Sequence, residues 1–204
     1  YVSTDEAAAR LDHLSAERKA VNRVLQTLPV KKLQDAQATV RAVQRHIPKS
    51  RFLHITAHGV LSDDDSFLAG FRLHDGTFTL GQLADCDVVD GELAVILTCD
   101  SAAGSLRSPN EALHVAGAAQ QAGYPDVVAA TMPLRDQSAV AVVTALYREL
   151  DASPNTIRAT VATTLHQAVT NIRQSAETGP DPLAWVPYAH FGWGLPDELD
   201  QRTP

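Results

Sequence analysis

Cysteine is scarce in this chain of 204 residues: Cys86 and Cys99 are the only two, and no CxxC pair exists. That excludes a disulfide framework and removes the usual spacing of a structural zinc site. A reducing compartment, the cytoplasm, is therefore expected. Basic residues are short as well. Lys and Arg number 17 against 24 Asp and Glu, for a net charge of −7. A surface built to hold nucleic acid or anionic lipid is not expected from that balance. No apolar run approaches the roughly 18 residues that cross a membrane, and residues 1–10 lack the basic and apolar regions of a signal peptide. GxSxG, GxGxxG and P-loop patterns are missing, which removes the common serine-hydrolase, dinucleotide and nucleotide readings. What remains is 45% hydrophobic and 20% charged, enough apolar material to bury a core.

The apolar residues alternate between two periods. Leu11, Leu14, Val21, Val24, Leu25 and Leu28 follow near-helical spacing after Thr4-Asp5-Glu6 and stop before Pro29. Residues 30–33 read as a short strand. Ala38, Val40, Val43 and Ile47 form a second helical stripe that Pro48 ends. Residues 51–57, RFLHITA, are strand-like and run directly into His58-Gly59. Asp75-Gly76 stands between FRLH and TFTL, a strong hairpin signal, and this hairpin is expected beside the main sheet. Residues 93–98, LAVILT, form a continuous apolar run of the kind buried on both faces in a parallel sheet. A helix over 111–122 closed by Gly123, a strand at 127–130, two helices at 137–150 and 154–175, and a last strand at 188–192 complete the pattern. Strands alternating with helices predict an α/β domain with a largely parallel sheet.

In such sheets reactive groups gather at the carboxyl ends of strands. Two strands here end in reactive side chains, His58 and Cys99. A thiol needs a base or a positive field to become a thiolate near neutral pH, and an imidazole supplies that and later a proton. Gly59 leaves its N–H open to an incoming carbonyl and, with the N–H of Cys99, makes a candidate oxyanion hole. Ser101, Ala102, Ala103 and Gly104 keep the mouth of the site uncrowded. Taken alone, each residue also fits a plain packing role, since a lone Cys closing an apolar strand behaves as a small hydrophobe. A zinc site built from His54, His58, Cys99 and Asp100 is a further alternative, although no HExxH exists.

The segment FLHITAHG, residues 52–59, resembles the hydrophobic strand ending in His-Gly of CHAT domains, caspase-like cysteine peptidases of clan CD. ELAVILTCDSAAG, residues 92–104, resembles their second signature, an apolar strand ending in the nucleophile. Asn110-Glu111-Ala112, then AGAAQQAGYPDVVAATMPLRD, and the terminal LAWVPYAHFG resemble the blocks that follow. The likeness runs from about Ala38 to Gly192 with the order of blocks kept. His58 precedes Cys99 by 41 residues, near the roughly 50 of caspases and opposite to the papain order.

The resemblance implies a three-layer sandwich, a mostly parallel central sheet with helices on both faces. It implies Cys99 as nucleophile, His58 as general acid/base, and the Gly59 and Cys99 N–H groups as oxyanion hole, with no metal and no cofactor. It implies a cysteine endopeptidase acting on a protein or peptide, the alternative being a catalytically silent interaction module of the same fold. Such domains sit at the C-terminal end of longer bacterial chains, often behind helical repeats that recognise a partner and gate the peptidase. The start at Tyr1 fits a chain without that region, and residues 1–204 are expected to form a single domain whose usual first strand the sequence does not show. Asp100, Glu111, Met132 and Asp136 are the candidate pocket residues, and the three carboxylates suggest a basic P1 residue. Asp100 departs from the small or hydroxylic residue common after the nucleophile, and a carboxylate there raises a thiol's pKa. Met132 stands where many relatives have Trp. His54 matches a second family histidine and is expected to be buried or hydrogen-bonded. His13, His46, His74, His114, His166 and His190 are expected to be surface or packing residues, Cys86 a bystander, and Trp185 and Trp193 packing anchors.

Overall fold

The computed structural model describes residues 1–4, 14–24, 29–60, 68–97, 111–132, 136–152 and 157–192. Six strands form one sheet in the order β2-β1-β3-β7-β8-β9: β1 is Val2–Ser3, β2 Leu33–Gln34, β3 Phe52–Thr56, β7 Leu93–Ile96, β8 Asp126–Ala130 and β9 Tyr188–Phe191. All neighbours are parallel except β8 and β9. Three short strands, β4 (Gly59–Val60), β5 (Gly70–Leu73) and β6 (Gly76–Thr79), form a separate antiparallel sheet.

The continuous apolar run of β7 is explained by what lies on each side of it. Ala94 and Ile96 join a core with Leu53, Ile55, Val127 and Ala129, while Leu93, Val95 and Leu97 join a second core with Val128. The first core is closed by α2 (Val40–His46), α3 (Leu80–Ala84), α4 (Glu111–Ala122) and the Phe71 and Phe78 side of the hairpin. The second is closed by α1 (Leu14–Val24), α5 (Asp136–Ala152) and α6 (Ile157–Gln174). On α5 the buried positions Ala139, Val142, Val143, Leu146, Tyr147 and Leu150 recur at three and four residues, the period of one helix face. The result is a sheet with helices on both faces, the α/β sandwich expected. No helix among the described residues is long and apolar enough to cross a membrane.

Local signals fall where the chain turns. Thr79 caps α3 reciprocally with Gln82. Gly123 ends α4 at φ +118°, where a Cβ would also lie 2.2 Å from the Val88 carbonyl oxygen. Two strands differ from expectation. The strand at 30–33 lies at Leu33–Gln34, and Val2–Ser3, where the sequence shows no strand, pairs with both β2 and β3. Two residues carry no periodicity, so tertiary pairing defines them. Arg18 of α1 secures this edge, reaching the Ser3 carbonyl at 3.2 Å and forking onto Asp35 at 2.7 and 3.0 Å.

Candidate active site

Parallel pairing of β3 with β7 sets the site. Phe52 opposes Leu93 and Ile55 opposes Ile96, and the Leu97 N–H donates to the Ile55 carbonyl at 3.1 Å. Neighbouring strands lie about 4.8 Å apart. The carboxyl ends of β3 and β7 therefore lie side by side at one end of the sheet, and His58 follows β3 there. Cys99 and Asp100 lie outside the described residues.

His58 is buried, 5% exposed, in the short link between the two sheets. Its carbonyl accepts from the Arg72 N–H of β5 at 2.8 Å. That bond makes the facing pair Gly59 and Phe71 a non-hydrogen-bonded pair. In such a pair the Gly59 N–H points away from β5. A Cβ at Gly59 would meet no atom of the described residues within 4 Å. Both features fit an oxyanion donor.

Two of the remaining pocket candidates open helices. Glu111 opens α4, which follows β7, and Asp136 opens α5, which follows β8; their side chains are outside what is described. Met132 follows β8 by two residues and is 44% exposed. Thr131 beside it bonds the Pro187 carbonyl through both N–H and hydroxyl, at 2.7 and 3.0 Å, tying the start of β9 to the same place.

His54 is buried and hydrogen-bonded, as expected, in a polar cluster that residue spacing does not reveal. It faces α1 and α5, where Glu17 is fully buried and Tyr147 nearly so. The Tyr147 hydroxyl bonds Nδ1, while Nε2 lies 2.7 Å from Thr56 Oγ1 and 3.2 Å from Glu17 Oε1. Thr56 donates to Glu17 Oε1 at 2.6 Å, and Tyr1 donates its phenolic O–H to the same oxygen at 3.3 Å. Burial first, then the Glu17 charge, pushes the Tyr147 phenol well above its ordinary range; the same two causes raise Tyr1. A phenol that keeps its proton donates to Nδ1, which places the ring proton on Nε2. Both imidazole nitrogens are thus engaged by protein, which leaves neither for a metal ion. Glu17 sits on the Leu14 and Val21 stripe of α1, and a carboxylate on an apolar stripe is the one signal of the cluster that the sequence carries.

Other residues fall into packing roles. His190, expected in a surface or packing role, has a partner that residue spacing does not reveal: Nε2 lies 2.9 Å from Oδ1 of buried Asp126. The antiparallel return of β9 makes that contact, across 64 residues of chain that spacing cannot bridge. His114 and His166 are exposed. Cys86 is buried and its thiol donates to the Gln82 carbonyl at 3.3 Å; burial, more than the adjacent Asp85, raises its pKa. The Trp185 indole donates to the Gly179 carbonyl at 3.2 Å with Arg173 stacked 5.2 Å from the ring centroid, a packing anchor. His13 and Trp193 lie outside the described residues.

Compared with known proteins, residues 3–193 match the family model of the CHAT domain. No curated protein matches the chain.

Proposed function

The chain belongs to the CHAT-domain family, a caspase-like family, and from that premise we propose that it is a cysteine endopeptidase whose nucleophile is Cys99 and whose general acid/base is His58. The observation that supports the reading is the parallel pairing of β3 with β7, whose carboxyl ends lie side by side and are followed in the sequence, after one and two more residues respectively, by His58 and Cys99. The Cys99 thiolate adds to the scissile carbonyl carbon, and the oxyanion takes hydrogen bonds from the Gly59 and Cys99 N–H groups. One such donor lowers the barrier by about 3 kcal/mol. His58 gives its proton to the leaving amine as the C–N bond breaks, leaving a thioester on Cys99. Water then attacks the thioester, His58 takes its proton, and the acid product leaves with the thiolate restored. The mechanism uses no metal or organic cofactor.

The substrate is a protein or peptide, and the carboxylates Asp100, Glu111 and Asp136, taken as pocket residues with Met132, favour a basic P1 side chain. A cytoplasmic location and a gating helical-repeat region or activator belong to the same reading. Incubation of a proteome-derived peptide mixture with the protein and with Cys99→Ala tests it, with new termini read by mass spectrometry. New termini that Cys99→Ala abolishes, enriched in Lys or Arg at P1, are expected. Equal cleavage after Leu would remove the basic-P1 element, and identical spectra from both proteins would point to a silent interaction module.

A further inference from the structure

Between β3 and the hairpin, the link that carries His58 is held at both ends by bonds that converge on Thr4. Thr4 is fully buried at the end of β1. Its N–H donates to the Thr56 carbonyl at 3.4 Å, continuing the β1–β3 ladder to the last residue of β3. Its hydroxyl donates to the Arg72 carbonyl of β5 at 3.0 Å. Arg72 uses its N–H on the His58 carbonyl at 2.8 Å. One residue therefore fastens the strand that leads to His58 and the strand that grips His58 from the far side. Only Ala57, itself fully buried, separates Thr56 from His58.

We propose that Thr4 is a positioning residue for His58, acting through Arg72 and Thr56 and touching no substrate; this rests on the dyad reading above. The sheet alone fixes β3, and the hairpin alone fixes β5, but the angle between them sets where the imidazole stands relative to the Cys99 strand end. The Thr4 hydroxyl is a side-chain bond that spans the two sheets. A general acid/base displaced by a fraction of an ångström loses rate far more than it loses fold. Glu17 supports the same strand end from the other direction, through the Thr56 hydroxyl at 2.6 Å.

The test compares the wild-type protein with Thr4→Val, which keeps the shape and removes the hydroxyl, and Thr4→Ser, which keeps the hydroxyl. The first readout is the rate of Cys99 alkylation by iodoacetamide between pH 5 and 9, mapped by peptide mass so that Cys86 is counted separately. Thr4→Val is expected to lower the rate at pH 6 about tenfold, and Thr4→Ser to stay within about twofold of wild type. A Thr4→Val profile that overlays wild type would overturn the proposal. The second readout is amide hydrogen exchange at Arg72, which needs no chemistry at Cys99. Thr4→Val is expected to speed that exchange at least about tenfold, and Thr4→Ser to spare it. Unchanged exchange in Thr4→Val overturns the clamp. If His58→Ala leaves the wild-type alkylation profile unaltered, the dyad reading fails, and the exchange data still decide whether Thr4 holds the two sheets together.

Discussion

His54 and His58 stand four residues apart and meet different surroundings. His54 sits inside β3, facing α1 and α5, with Tyr147 on one ring nitrogen and Thr56 and Glu17 on the other. His58 stands just past the strand, where the chain crosses to the hairpin and the Arg72 N–H takes hold of its backbone. Helix layers cover the first, and the link at the carboxyl end of β3 holds the second. One residue type therefore serves as a buried structural node in the interior and, in our reading, as an acid/base at the strand end. The position along β3 decides which.

If that contrast is right, the two histidines fail in different ways. Replacing His58 by Ala should reduce acylation of Cys99 by a peptide electrophile about a hundredfold or more, with the urea midpoint nearly unchanged; a loss under threefold would break the comparison. Glu17→Ala strikes the other node. It removes the acceptor shared by Thr56 and Tyr1 at zero exposure, and urea denaturation should show a loss of about 3 kcal/mol. Tyr147→Phe deletes only the donor to His54 Nδ1, and the same measurement should show about 1–2 kcal/mol.

Cys86 sharpens the companion contrast between a buried thiol and the thiol proposed as nucleophile. Burial and then Asp85 raise its pKa above the ordinary 9.0, so native Cys86 should react with iodoacetamide at pH 7 far more slowly than in urea. The shift has a consequence for stability. A thiol whose folded pKa is raised contributes below pH 9, and that contribution fades as pH climbs through the folded value. Cys86→Ala should therefore flatten part of the fall in urea midpoint between pH 8 and 11. The smallest effect is expected at Gly59→Ala, where a Cβ would meet no atom of the described residues within 4 Å. Its stability should stay within about 0.5 kcal/mol of wild type, while acylation of Cys99 reports how closely the substrate approaches that backbone.

Elements with a strong local signal are legible in the amino-acid sequence itself. The apolar strand at Leu93–Ile96 and the Gly123 helix stop occur where their chemistry places them, because each is decided within a few residues. The hairpin forms as its Asp-Gly signal predicts but with the turn one residue earlier, at His74-Asp75, and Gly76 already in β6. Legibility ends where distant segments decide. Val2–Ser3 is a strand only because β2 and β3 flank it, and β2 lies at Leu33–Gln34 rather than at 30–33 for the same reason. The Glu17, Thr56, Tyr147 and His54 cluster joins three elements separated by up to 93 residues in a single bond. Sequence period marks Glu17 as out of place on its stripe, yet cannot say which partner it meets. His58 is legible as a residue just past a strand, whereas the pairing of β3 with β7 rather than with another strand is not.

The central claim is that Cys99 is a nucleophile working with His58, and one measurement meets it directly: intact-protein mass after incubation with a peptide acyloxymethyl ketone. A single adduct, located at Cys99 by peptide mapping and strongly reduced in His58→Ala, is the predicted result. No adduct on Cys99 under conditions where Cys86 is shown to be intact and the protein folded would contradict it.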